Sequence, residues 1–185
     1  YRQAVGRYKT SLAADLALAH RGPILVWTWH KQIAQAIAKR VSAESDRETF
    51  VMSGESTGAK RAKTIDAWNA TEAGVMVATL AVGQVGIDLS HARKEIFVET
   101  DWTPAVLSQA EVRPFHPDRD LDIVYITLDH EIDQALTEAV VKKVDRGHSF
   151  DLAAAGSVFE DSAVAAQDDD RDILRDLAAA LGLAA

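Results

Sequence analysis

Apolar positions along this chain alternate between two patterns. Short continuous runs stand at residues 23–29 (PILVWTW), 49–52 (TFVM), 74–80 (GVMVATL), 95–99 (EIFVE) and 122–128 (DIVYITL). Runs of this length, rich in β-branched and aromatic types, read as strands, those at 23–29 and 74–80 as buried ones. Between them apolar residues recur at helical spacing. Leu12, Leu16 and Ala19 mark a helix over residues 1–20 that Gly22 and Pro23 end. Ile33, Ala36, Ile37 and Val41 mark one over 31–42, and Ala62, Ile65 and Trp68 one over 60–70. Thr103 and Pro104 read as an N-cap and first helical residue, and Pro114 stops that helix near Val112. A long helix over 130–146 carries Ile132, Leu136, Ala139 and Val140 on its face and closes with Lys142, Lys143 and Arg146. Residues 54–58 and 81–90 read as loops. Trp27 and Trp29 alternate and so share a strand face, where core packing is the expected role.

Strands alternating with helices predict a three-layer α/β domain around a mainly parallel sheet of five or six strands. Ligands of such sheets bind at the C-terminal ends of the strands, which points to the loops after residues 80, 99 and 128. The folded lobe is expected over residues 1–149. Residues 150–185 differ: Gly, Ala, Ser and Asp dominate 153–170, predicting a mobile linker. An amphipathic helix follows over 170–181 with Ile173, Leu174, Leu177 and Leu181 as its stripe. There are no internal repeats.

Charge first argues against a nucleic-acid binder, since the 185 residues carry a formal net charge of −8. Its distribution softens that. From Phe150 onward eight acids face two bases, a net of −6, which leaves −2 on residues 1–149. A local basic face on a near-neutral lobe still holds phosphates. Without cysteine there is no disulfide framework and no thiolate metal site, and the six scattered histidines form no H-x-x-x-H pair. No metal site is expected. No apolar run is long enough to cross a bilayer and no signal pattern opens the chain, so the expected setting is cytoplasmic or nucleoid-associated, with no membrane partner.

Three segments carry candidate chemistry. In ATLAVGQVGIDL, Thr79 offers a hydroxyl, Gly83 and Gly86 permit positive φ and close approach of backbone amides to an anion, and Asp88 suits a ribose hydroxyl or a basic partner. An ordinary strand-to-helix loop with turn glycines is the alternative. In DWTPAVLSQAEVRPFHP, Gln109, Glu111, Arg113 and His116 surround a helix end, and Arg113 suits bidentate phosphate contact. A solvated helix end is the alternative there. Lys60, Arg61 and Lys63 open a helix after a Ser/Thr/Gly loop, which suits either a nucleic-acid backbone or plain solvent.

Taken in order, these segments resemble the second lobe of superfamily-two helicases, most closely the Swi/Snf-type DNA translocases, over about residues 20–140. PILVWTW resembles the motif IV strand. SGESTGAKRAKTIDAWN is similar to the family's G…R…I…F-N stretch, with Gly54, Arg61, Ile65, Trp68 and Asn69 in place. ATLAVGQVGIDLSHA resembles motif V, DWTPAVLSQAEVRPFH the run containing motif VI, and ITLDHEIDQAL the strand and helix that follow. The resemblance implies a RecA-like fold that meets an N-terminal RecA-like lobe of the same protein across a cleft for ATP and magnesium, the metal held mainly by that other lobe. It implies DNA, or alternatively RNA, running over both lobes. Gln109 and Arg113 then face the nucleotide with Gly86 and Asp88 beside it. Thr79, Gly83, Lys60 and Arg61 lie towards nucleic acid.

The sequence also departs from the family. His116 stands where the family has a second arginine, Val112 replaces the glycine before Arg113, and Asp118 replaces the glycine after the second arginine. With no phosphate-loop motif or D-E-x-H box in these 185 residues, the chain by itself is expected to have no appreciable ATPase activity. A non-catalytic RecA-like module that binds nucleic acid or protein is the rival reading, favoured by His116. A small-molecule enzyme has no nucleophile–base pair or dinucleotide fingerprint to support it.

Overall fold

The computed structural model of the chain describes residues 2–100 and 104–128. Their order is α1 (Arg2–Ala19), β1 (Ile24–Thr28), α2 (Lys31–Glu44), β2 (Thr49–Met52), α3 (Gly58–Asn69), β3 (Val75–Thr79), α4 (Leu80–Gly83), β4 (Lys94–Phe97), α5 (Pro104–Glu111) and β5 (Asp122–Tyr125). The chain divides into two units, residues 1–100 with 109–126, and residues 101–108 with 127–185. The first holds the whole sheet. Of the second, the described part is the beginning of α5 and residues 127 and 128. The Thr103 cap, the helix over 130–146, the 149/150 boundary, the linker and the helix over 170–181 lie outside the described residues.

The five strands are all parallel, in the order β2-β3-β1-β4-β5. β1 and β3 are central and every residue of both is buried, as their unbroken apolar runs predict. One face of the sheet, with Ile24, Val26, Val75, Val77, Ile96 and Val98, packs against Ala13, Ala14 and Ala17 of α1 and Ile33, Ile37 and Val41 of α2. The other face carries Leu25, Trp27, Met76, Ala78, Glu95 and Phe97, and these are buried too. The chain builds β2 and β3 on one side of β1, then crosses to β4 and β5 on the other. The C-terminal ends of all five parallel strands share one edge, with the topological switch between β1 and β4.

Several sequence expectations are corrected here. In α1 the fully buried residues are alanines: Leu12 is 49% exposed and Ala19 is exposed, Leu16 packs partly buried against the core, and Ala13, Ala14 and Ala17 are fully buried. Small side chains let α1 lie close on α2, so the helix turns its alanine stripe inward. Ala36 and Ala62, expected inward, are exposed, whereas in α3 Trp68 is buried as expected and Ile65 is half-buried. The run over 23–29 stops being strand at Thr28. Trp27 is therefore core, but Trp29 stands past the strand end and is 41% exposed.

The opposite edge, where the strands begin, is tied by one side chain. The Arg47 guanidinium donates to four backbone carbonyls: Nε to Ala73 (2.7 Å), Nη1 to Ala17 and to His20 (2.6 Å), and Nη2 to Gly22 (2.7 Å). It closes the C-terminal turn of α1, the turn into β1 and the turn into β3 together. Burial pushes its pKa below the ordinary arginine value.

Candidate functional site

The loop after β3 is the centre of the candidate site, and it is not a plain loop. Residues 80–83 make a single helical turn directly off the strand end. Thr79 at that strand end is buried, and its Oγ1 accepts a hydrogen bond from Gly54 N at 3.2 Å. The hydroxyl therefore ties the loop after β2 to the end of β3.

The two glycines differ from the sequence expectation and from each other. Neither takes a φ in the left-handed region. Gly83 is buried, and a Cβ there would stand 3.0 Å from both Cα and Cβ of Ala110 in α5. Its role is close approach of two backbones. Gly83→Val should cost about 2–3 kcal/mol of stability through overpacking at this contact, read as a lower denaturation midpoint. An unchanged midpoint would show that the contact yields at no cost. Gly86 is exposed, and a methyl group on its Cα would meet nothing within 4 Å, so its backbone is open to a ligand.

Arg113 is pinned to this loop twice. Its Nε donates to the Gly83 carbonyl at 2.8 Å, and its own carbonyl accepts from Leu89 N at 3.1 Å. The guanidinium is thus aimed by one nitrogen, with no further partner for its terminal nitrogens among the described residues. Asp88 adjoins this contact. Its Oδ1 accepts from Ser90 N at 2.8 Å. Hydrogen bonds from Ser90 hold its pKa below the ordinary aspartate value, helped by the nearby charges of His116 and Arg119. His116 is half-buried, and its Nδ1 accepts from Asp118 N at 3.2 Å. Gln109 is exposed on the last turn of α5.

Beside this loop runs a cleft of about 450 Å³ lined by residues of α3 (Gly58, Arg61, Ala62, Ile65, Asp66, Asn69) and of the loop (Val85, Gly86, Ile87, Asp88). The structure therefore separates Lys60 from Arg61. Lys60 is exposed on the first turn of α3, whereas Arg61 is half-buried and shares the cleft with Gly86 and Asp88. Thr57 caps α3, accepting from Lys60 N at 3.3 Å. Two bases and no acid in a first helical turn oppose the helix dipole, a charge arrangement that an anion relieves.

Sequence reasoning missed a carboxylate at the switch point. Glu99, just past β4, is buried and accepts from Trp29 N (3.0 Å), His30 N (2.9 Å) and His30 Nδ1 (2.6 Å). It ties the loop entering α2 to the end of β4. The EIFVE run gave no sign of this, because the partners lie about 70 residues upstream. Among the described residues no group of three or more metal-ligating side chains occurs, and no helix is long and apolar enough to cross a membrane.

The family model described as helicase conserved C-terminal domain matches residues 8–117, well over half of the chain. Solved structures share the fold at low identity. The C-terminal part of the Fun30 ATPase domain superimposes with a TM-score of 0.60 at 14% identity, covering 95% of this chain and 53% of that one. The C-terminal domain of the DEAD-box protein Dbp5 gives 0.61 at 15% identity, covering 74% and 78%. The Sulfolobus solfataricus SWI2/SNF2 ATPase core domain gives 0.57 at 17% identity, covering 72% and 28%. The chain thus spans about half the length of the first of these and little more than a quarter of the third. No curated protein matches it.

Proposed function

This chain belongs to the family of helicase conserved C-terminal domains, and on that premise we propose that it is the second motor lobe of an ATP-dependent DNA helicase or translocase of the Swi/Snf type. The observation that carries the proposal is the double tether of Arg113 to the loop after β3, through the Gly83 carbonyl and Leu89 N. It gathers a guanidinium, an open glycine backbone at Gly86 and an ionised Asp88 at the strand-end edge where parallel sheets bind ligands. Proteins with the same fold, an ATPase domain and a SWI2/SNF2 ATPase core among them, support the same reading.

The residues fit a nucleotide triphosphate shared with another lobe. Arg113 presents positive charge to a transferring phosphoryl group, held by its Nε so that little reorganisation is needed. Asp88 keeps one oxygen on Ser90, and its carboxylate suits a ribose hydroxyl beside the exposed Gly86 amide. Gln109, on the same helix end, is assigned to orienting the reacting groups. His116 takes the place of a second arginine and supplies a weaker donor. When bound, ATP with magnesium supplies the bond whose cleavage drives movement; the metal falls to the other lobe. Lys60 is assigned to nucleic-acid phosphates, with Thr79 and Gly83 shaping that edge.

The test uses the full-length motor. Arg113→Ala should depress ATP turnover far more than nucleic-acid affinity. Lys60→Ala should do the reverse, weakening DNA binding on all sequences alike and reducing the slope of log affinity against log salt by about 1. Arg61→Ala, removing a cleft residue, should affect both. A Lys60→Ala motor with an unchanged salt slope would take that lysine off the nucleic-acid track.

A further inference from the structure

We propose that the cleft between α3 and the loop after β3 takes one unpaired nucleotide of a nucleic-acid strand, with Arg61 on its phosphate and Asn69 and Asp66 on the edge of an adenine or cytosine base. The proposal rests on the preceding reading only for nucleic acid as the partner.

The α3 wall of the cleft is one stripe of the helix. Gly58, Ala62 and Asp66 recur at i, i+4 and i+8, and Arg61, Ile65 and Asn69 do the same beside them. Eight residues of helix rise about 12 Å. Arg61 at one end and Asn69 at the other therefore stand apart much as a phosphate stands from the far edge of its own base. Between them the lining is apolar and incompletely covered: Ile65 on α3 and Val85 and Ile87 on the loop are each half-buried. Such surface suits the faces of a flat ring. Gly58, Asp66, Asn69, Gly86 and Asp88 are exposed, so the cleft is an open trough that a strand can enter from the side.

The polar groups of this stripe are unengaged. The side chains of Arg61, Asp66 and Asn69 make no hydrogen bond or ion pair among the described residues. One cation, Arg61, lines the cleft against two acids, Asp66 and Asp88, a net of −1. A phosphate lying along the whole trough would meet more negative charge than positive. The arrangement instead favours an occupant that sets its anion on Arg61 and brings hydrogen-bond donors to the acids. A nucleotide does so when its base carries an exocyclic amine. An asparagine amide makes two bonds to the amine and neighbouring ring nitrogen of adenine, and a carboxylate accepts from the amine of cytosine. Thymine presents a carbonyl where those amines stand, and a carboxylate repels it. The base must be unpaired, because in a duplex its faces are stacked and cannot meet the apolar walls. Asp88 keeps the task given to it above and is not called on here.

Backbone amide NMR of this chain, titrated with single-stranded DNA, tests the assignment. The probes are strands of adenine, cytosine, thymine and abasic units, all of one length. Amides of residues 61–69 and 85–88 should shift with the adenine and cytosine strands. These should bind about tenfold more tightly than the thymine strand, the discrimination that one well-placed side chain gives between bases. Asn69→Leu should remove the preference for adenine and Asp66→Leu that for cytosine, each leaving affinity for the thymine strand as it was. Both positions are exposed, so neither change endangers the fold. Arg61→Ala should weaken all four strands alike. Equal affinity for adenine, thymine and abasic strands, or no shift at these residues with millimolar adenine strand, overturns the proposal. So does adenosine monophosphate binding as tightly as the adenine strand, which would make the occupant a free nucleotide. Base-independent binding that still falls with Lys60→Ala defeats the cleft assignment and leaves the motor-lobe reading intact.

Discussion

Replacing Arg113 with alanine in the full-length motor should lower ATP turnover by at least about a hundredfold, the lower end of what a preorganised electrostatic stabiliser contributes. The size follows from how the side chain is held. An arginine on a flexible stem loses part of its benefit to ordering. Here Nε is fixed on the Gly83 carbonyl at 2.8 Å and the backbone on Leu89, so the guanidinium is oriented before substrate arrives. Arg113→Lys keeps the charge but has no Nε–H for Gly83 and no planar fork. It should recover only a small part of the activity. Nucleic-acid affinity should change little in either variant, because the nucleic-acid phosphates are assigned to Lys60 and not to Arg113. His116→Arg should raise turnover if the weaker donor limits the reaction. An Arg113→Ala motor that hydrolyses ATP at the wild-type rate would remove the central role assigned to this residue and favour the non-catalytic, partner-binding lobe.

The strands were legible from runs rich in apolar and β-forming residues, and those at 23–29, 49–52, 74–80, 95–99 and 122–128 all contain strands of the parallel sheet; only the central β1 and β3 are buried throughout, while the edge strands β2 and β5 expose Val51 and Ile123. The candidate residues after β3 were legible as a group because strand-to-helix loops in parallel sheets share one edge. What each of them touches was not. Gly83 reads as a turn residue by type, yet it is required by Ala110, which lies 27 positions later in the chain. The turn over 80–83 reads as loop because a glycine ends it and a one-turn helix is too short for a periodic signal. Glu95 and Glu99 read as incidental acids in a strand. Their partners, Trp27, Trp29 and His30, come from β1 and the loop after it. Pairings across such separations leave no local pattern, and the facing of α1 fails for a related reason: alanine and leucine stripes are distinguished only by the neighbour they must approach.

Arg47 is the other position where one substitution should have a large effect, and here the effect is on stability. Four carbonyls from three separate turns end on one guanidinium, and no carboxylate among the described residues shares it. The carbonyls of Ala17 and His20 belong to the end of α1, where the last turn of a helix lacks intrahelical donors. Arg47→Ala leaves these acceptors without their donor in a half-buried place, at about 1–3 kcal/mol for each one that water cannot reach. Water will reach some of them, so a total of about 3–5 kcal/mol is expected rather than the full sum. That is a large fraction of the ~5–15 kcal/mol that holds a domain together, and corresponds to a melting point lower by roughly 10 °C or more. Arg47→Lys keeps the charge but offers a single nitrogen, which can serve one or two of the four sites, so it should recover less than half of the loss. Arg47→Met, which keeps the bulk without donors, should behave like alanine. Thermal unfolding of the three variants separates hydrogen bonding from packing: a methionine variant as stable as wild type would mean that the side chain fills space and its four bonds contribute nothing net.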